Sequence, residues 1–333
     1  MQYDKLSARI VGTAVAVALL GGAAPAVGEI HEWTDPSGGH WVNALNWDPS
    51  GVPGTGDRAI FDLGDETYTV DREDPGLPFP SPPPQIHELR VGDDTLTLDF
   101  AGHDLTTTGV TVVGRDAASL LADVGRLNLA NGTMTTPRLT LGVEAASSPL
   151  GGTLRAQGTL AIDGGDASLR LRDQEVHTVG DAGQGTVLLS GGGQIVPASL
   201  GEAPEVVLGE TDTGIGEVNV ADAGSDWRNI GRLRVGVGGT GTVEIRNGGD
   251  LNSELTTLAE QGGASADVTV EGSTARLDAG DLYVGGDDGS AGGTATLTVG
   301  SQGRVTSEAT RIWPDGTVEL AGGLLSAGTL SLS

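Results

Sequence analysis

The sequence predicts an all-β solenoid, a chain wound into stacked coils of short strands, closed at its N-terminal end by an atypical cap. Three observations carry that prediction. Val, Leu and Ile alternate with polar residues at period two along most of the chain, which is the signature of half-buried strands. Glycine supplies 56 of 333 residues, well above the usual ~7%, and falls between the alternating runs. The glycine corner also recurs at a near-constant interval, inside the window that marks solenoids.

The unit is clearest from 233 to 251, which reads Leu-Arg-Val-Gly-Val-Gly-Gly-Thr-Gly-Thr-Val and then Glu-Ile-Arg-Asn-Gly-Gly-Asp-Leu. Leu233/Val235 and Val243/Ile245 are short apolar runs, and the corner at Gly248-Gly249 leads to Leu251. Three strands this short cannot bury an apolar face alone, so the unit needs neighbours above and below. They are present. Gly236 has counterparts at Gly180, Gly209 and Gly285, with Ala259 and Pro314 expected in the same role, at intervals of 29, 27, 23, 26 and 29 residues. The matches extend beyond one glycine: Gly-Gln-Gly-Thr-Val follows Gly180, Gly-Ile-Gly-Glu-Val follows Gly209, and Gly-Gly-Thr-Ala-Thr-Leu follows Gly285.

Composition bounds the function classes. There are 45 acidic and 18 basic side chains, a net charge of −27, which disfavours nucleic acid and anionic membrane as partners. Cysteine is absent, so disulfides, zinc-thiolate sites and thiol nucleophiles are excluded together. Low aromatic content and high charge raise disorder as an alternative, but a disordered tract has no reason to keep period-two phase.

Taken in order, residues 1–26 read as a secretory signal. Lys5 and Arg9 precede an eleven-residue apolar run from 10 to 20, and Ala24-Pro25-Ala26 offers small residues for cleavage after Ala26. The run is shorter than the ~20 residues a membrane span needs, so the expectation is an exported chain with no transmembrane segment after cleavage. Residues 27–85 are expected to cap the stack. Trp33, Trp41 and Trp47 cluster there, with Asn46, Pro53, Asp57 and Phe61 following. Such a cluster can cover the apolar end of a solenoid, or it can contact carbohydrate through indole faces. The cap is preferred because terminal repeats must be atypical; carbohydrate contact by Trp33, Trp41 and Trp47 is the alternative.

From Asp74 to Pro84, six of eleven residues are proline, which predicts a stiff extended loop without ladder donors. Strand-like text then continues from Ile86. Residues 86–176 read as degenerate coils with corners at Gly92, Gly114 and Gly142, and 117–124 as a short helix inserted at a corner. Residues 177–333 read as the regular repeats. The chain is expected to comprise nine or ten turns, ~45 Å of stack at ~4.8 Å per turn. The final Leu330-Ser331-Leu332-Ser333 stops in strand register, so the expectation is either a last strand left to pair laterally or a shortened form of a longer protein.

The repeats from 177 to 323 resemble the glycine-rich repeats of bacterial type V secretion (autotransporter) passengers and of PEP-CTERM-associated surface proteins. The matching residues are Leu233-Arg234-Val235-Gly236, Gly241-Thr242-Val243-Glu244-Ile245, Gly224-Ser225-Asp226-Trp227 and Gly248-Gly249-Asp250-Leu251, with Leu282-Tyr283-Val284-Gly285 and Leu297-Thr298-Val299 nearly as close. Trp41, Asn46-Trp47, Pro53 and Gly56-Asp57 look like the opening segment of such proteins, including many from planctomycete-like bacteria. The resemblance implies a right-handed parallel β-helix of the pectin-lyase-like kind on an exported, adhesin-like surface protein, and implies no reaction. The sequence departs from the complete autotransporter pattern, because no C-terminal barrel of alternating ~10-residue strands follows, and no Pro-Glu-Pro sorting signal is present.

Parallel β-helices can also be enzymes. Pectate-lyase-like proteins use calcium-binding acids and a basic residue on one exterior face. The candidates here are Asp287-Asp288, Asp163 with Asp166, Asp222 with Asp226, and Arg228, Arg232 and Arg234. Calcium needs six to eight converging oxygens, whereas the Gly-Gly-Asp-Asp-Gly-Ser corner at 285–290 is what turn formation alone selects. Calcium is kept as a minor expectation and no metal ligand or other cofactor is assigned. His31, His40, His87, His103 and His177 show neither ligand spacing nor a nucleophile motif, and the three arginines are expected to offset the acidic surface. The glycine run after Gly236 precedes a strand and lacks the lysine of a phosphate loop. No catalytic residue is therefore assigned. The function expected is a non-enzymatic cell-surface or matrix scaffold, interacting with surface polysaccharide or other envelope proteins. The alternative is a polysaccharide-binding or polysaccharide-degrading β-helix, a lyase or glycosidase. The two differ in how acids are placed: an enzyme gathers acids with one Arg or Lys across adjacent coils, and a scaffold scatters them over all faces.

Overall fold

The computed structural model describes residues 28–72, 84–115, 124–143, 145–147, 153–172, 175–199, 201 and 203–333. The expected signal segment, all but Pro84 of the proline-rich stretch, and residues 117–123 of the expected helix lie outside them. Val124 begins the strand Val124–Thr136.

The described chain is a parallel β-solenoid of about nine turns. Each coil contributes to three faces. In one coil, Thr240–Arg246 supplies the first face, and Asp250–Leu258 bends once to supply the second and third. Period-two alternation makes the core by stacking like on like. Val218, Val243, Val268 and Leu297 oppose one another on the first face, as do Val220, Ile245, Val270 and Val299. Leu251, Leu277 and Val305 do so on the second, and Leu208, Val235 and Leu258 on the third. All are buried. Each coil thus covers the apolar side chains of the next, and no coil could be stable alone.

The corner after the third face explains the sequence repeat. The N–H of each corner residue donates to the carbonyl that precedes the corner one coil earlier: Gly180 to Leu141 at 2.8 Å, Gly209 to Val179 at 3.0 Å, Gly236 to Leu208 at 2.8 Å, Ala259 to Val235 at 2.8 Å and Gly285 to Leu258 at 2.9 Å. The backbone there is left-handed, with φ of 68° at Gly236. A Cβ on Gly236 would lie 2.2 Å from the Ser265 carbonyl oxygen, and one on Gly241 would lie 2.4 Å from the Gly236 nitrogen. The corner glycine and the second glycine of Gly-Thr-Gly-Thr-Val therefore answer one constraint, the close passage of neighbouring backbones.

Two expectations are corrected here. Val284 pairs with Ile312, so the corner counterpart of Gly285 is Trp313 and not Pro314. The ladder requires an N–H at this position, which proline lacks; Trp313 donates to the Val284 carbonyl at 2.9 Å. Parallel stacking also begins before Ile86. Ile30–Trp33 pairs with Arg58–Phe61, which pairs with Gln85–Val91, and Thr67–Asp71 pairs with the long strand Thr95–Val113. The segment 27–85 therefore forms coil as well as cap.

The cap itself is antiparallel. Trp47–Asp48 runs against Ile30–Trp33, placing Trp47 opposite Trp33 and closing that strand's free edge. The irregular spacing between Gly142 and Gly180 has a local cause: Ala145–Ser147 and Thr153–Arg155 form a small antiparallel pair, an excursion inserted between coils that keep their register. At the other end, Leu320, Leu330 and Leu332 of the last coil are exposed.

Candidate functional surfaces

The three tryptophans do not present their faces to solvent. Trp33, Trp41 and Trp47 are 1%, 0% and 2% exposed. Trp47 packs edge-on against both others at 5.0 Å, and Trp41 continues to Phe61 at 6.0 Å and Phe100 at 6.3 Å. Trp47 Nε1 donates to the Trp41 carbonyl at 2.9 Å. A sugar ring needs an open indole face, and the core occupies these; the cluster is placed as the floor of the cap.

The acidic corner at Asp287-Asp288 is an Asx turn. Asp287 Oδ1 accepts from the Gly289 and Ser290 N–H groups at 2.8 and 2.7 Å. Its slight burial would raise the carboxyl pKa, but these hydrogen bonds outweigh that and hold it below the usual range. The loop is pinned from the next coil, where Trp313 Nε1 donates to the Asp287 carbonyl at 2.9 Å and Arg311 donates to that of Asp288 at 3.1 Å. The Arg311 guanidinium also stacks 4.1 Å over the Trp313 ring.

One cluster combines acids and arginine across adjacent coils. Arg234 lies between Glu205 of the preceding coil and Glu260 of the following corner. It donates to both oxygens of Glu260 at 2.6 Å and to Glu205 at 3.1 Å, and Arg232 approaches Glu260 at 3.7 Å. Hydrogen bonding to Glu260 raises the Arg234 pKa against the opposing effect of burial. Both Glu260 oxygens are engaged by the Arg234 guanidinium, and Oε2 also accepts from the Thr257 hydroxyl at 3.4 Å. The cluster acts as a strut between coils.

On the second face, Asp226 opposes Asp250, which opposes Arg276, which opposes Arg304. Asp226 is buried and paired with Arg228. Burial first, and the neighbouring Asp226 second, raise the Asp250 pKa. Asp222 stands apart at an exposed corner with φ of 74°. Asp163 accepts from the Ser190 hydroxyl at 2.9 Å, and Asp166 is exposed. Among the described residues no group of three or more His, Asp or Glu is placed to hold a metal ion, and no helix is long and apolar enough to cross a membrane.

The histidines are dispersed. His31 is buried under the cap with Nδ1 at 3.1 Å from the Pro49 carbonyl, and His40 pairs with Asp71. His87 and His103 lie on different strands. His177 is buried and bonded through both ring nitrogens. Nothing in its Glu-Val-His-Thr-Val context marks that role, because its partners are backbone groups of other segments.

Against family models, curated proteins and solved structures, the chain has no match.

Proposed function

We propose that this chain is an exported, non-enzymatic β-solenoid of the cell surface or extracellular matrix, passenger-like, working as a rigid scaffold that displays an acidic exterior. The observation that carries the reading is the distribution of acids over the outward rows of all three faces. Glu217, Glu244 and Asp267 lie on the first face, Asp250 and Asp278 on the second, and Glu205 and Asp281 on the third. Such a surface keeps a β-rich rod soluble through net charge and blocks sheet-to-sheet association. The signal-like residues 1–26 and the −27 charge support export. The repeat resemblance supports a surface setting.

The test is to incubate the purified chain with neutral and acidic polysaccharides, with and without calcium, and to follow chain length and unsaturated products. The expected result is no depolymerisation. Products that vanish on chelation would replace the scaffold with a lyase.

A further inference from the structure

The coil farthest from the cap is open on its outer side. Gly316–Leu320 forms its first face, and Leu324–Leu332 bends once to form the second and third. Register shows which of its residues face the core. Val318 opposes Leu297, Leu320 opposes Val299, Leu325 opposes Val305, Leu330 opposes Thr310 and Leu332 opposes Ile312. Leu297, Val299, Val305 and Thr310 are buried, whereas Leu320, Leu330 and Leu332 are 59%, 60% and 79% exposed. These leucines occupy core positions, yet no described residue covers them as the next coil covers their counterparts.

Charge and symmetry point to a second copy of this chain as the cover. Open sheet edges are usually guarded by charged side chains, proline or a covering segment. At the opposite end Trp47–Asp48 gives that cover by running against Ile30–Trp33, which blocks head-to-tail stacking. Leu324–Leu332 contains no charged residue and no proline. Two copies therefore meet there without local repulsion, and their long-range repulsion, from −27 on each, is screened by salt. The coil also matches itself about a twofold axis at right angles to the stack, running through Val318 and through Gly328, where the ladder is interrupted. First face then meets first face, and second meets third, in antiparallel pairs. Val318 faces its own copy, Thr317 faces Glu319, and Leu325 falls between Leu330 and Leu332 of the other copy. No acid opposes an acid.

We propose that two copies join end to end through this coil, in a twofold dimer whose apolar core runs on from one solenoid into the other. The contact is isologous, so it consumes both open edges and stops at two copies. It engages strands of 5 and 9 residues on each side, fewer than the ~20–30 of a standard interface. A dissociation constant of about micromolar order is therefore expected. The dimer does not rest on the scaffold reading, since the outward faces of the coils take no part in it.

The experiment is sedimentation velocity and small-angle scattering of the purified chain, from about 1 to 100 µM to bracket the expected constant. A monomer–dimer equilibrium is expected, with the dimer about twice as long as the monomer, as end-to-end closure requires. The double variant L330E/L332E puts charge on two exposed side chains and should weaken dimerisation by about tenfold or more, with an unchanged circular dichroism spectrum. The chain has no cysteine, so V318C reports the axis directly. Mild oxidation should link two V318C copies, since residues on the axis come within disulfide reach. S37C, at an exposed position in the cap, should link far more slowly. A monomer throughout the range, or a double variant that dimerises like the parent, would overturn the proposal. Mass that keeps growing with concentration would replace the closed dimer with an open stack. A dimer whose V318C form links no faster than S37C would overturn the twofold axis. Should the double variant lose its β spectrum, linkage of V318C decides alone.

Discussion

His177 Nδ1 accepts a hydrogen bond from the Leu139 N–H at 3.1 Å, while Nε2 faces the Arg172 carbonyl at 2.9 Å and donates to it. One imidazole therefore ties together the start of the third-face strand Arg138–Leu141, the chain after Leu171, and its own strand one coil later. The arrangement requires the neutral ring, with the proton on Nε2.

Burial, against the smaller opposing effect of the Arg172 carbonyl, pushes the His177 pKa down to about 4 from 6.5. Between pH 6.5 and 4 the unfolded chain thus binds a proton that the folded chain does not, and stability falls as pH falls through that window. The contribution is fully present above pH 6.5. Its complete loss below 4 corresponds to about 3 kcal/mol. H177Q should be less stable at pH 7, and its melting temperature should depend less steeply on pH between 6.5 and 4. Parallel melting curves for the two proteins across that window would refute the assignment.

The corner glycines make a second prediction. G236A should destabilise by about 3 kcal/mol or more, since the new Cβ would meet the Ser265 carbonyl at 2.2 Å. The same exchange is already tolerated one coil later, where Ala259 occupies the corner at φ 55°. The following corner is wider there, with eight residues between Gly285 and Thr294 against five between Ala259 and Ser265. A259G should therefore change stability by no more than about 1 kcal/mol, relief of the left-handed alanine being offset by lost burial and added chain entropy. Urea midpoints of the two variants check the contrast.

Removing the cap floor should be costly. W41A deletes a fully buried indole in contact with Trp47, Phe61 and Phe100, and a loss of about 3–5 kcal/mol is expected. Hydrogen exchange should show it first in 30–33 and 58–71, with the coils beyond 177 still protected, because nearest-neighbour stacking confines the damage. Uniform loss of protection would show that the solenoid unfolds as one unit.

A buried carboxylate holds the first full corner. Asp94 accepts from the Leu63 N–H at 2.7 Å, the Glu66 N–H at 3.1 Å and the Tyr68 hydroxyl at 2.8 Å. Burial, and then the Asp94 carboxylate, push the Tyr68 phenol far above its ordinary pKa. D94A strands the buried Tyr68 hydroxyl and removes the acceptor of two corner N–H groups, and should cost about 2–3 kcal/mol. Y68F removes one donor from a carboxylate that keeps two others and should cost about 1 kcal/mol. Thermal melts of both variants give the comparison, and equal losses would mean that the phenol carries the corner.

Much of the solenoid is legible residue by residue. The pairing of Val243 with Val218 and Val268 follows from a strand period of two and a repeat of nearly constant length, and so does the inward aim of Ile245 and Leu251. The misplacement of the last corner at Pro314 shows where periodicity stops helping. Counting residues cannot separate Trp313 from Pro314, but a backbone ladder that needs an N–H does. The candidate surfaces were less legible. Arg276 and Arg304 are 28 residues apart in the sequence, and only the register of their strands shows that they stand side by side.

The sequence by itself determined the solenoid class, the inward and outward rows of the regular coils and the corner glycines, because each depends on local backbone geometry repeated at a near-fixed interval. The tertiary structure alone decided what meets across coils: Glu205 and Glu260 on Arg234, His177 beneath Leu139, Arg304 beside Arg276. Those contacts lie one coil apart, at spacings altered by every inserted loop, and loop length leaves no mark on the residues it brings together.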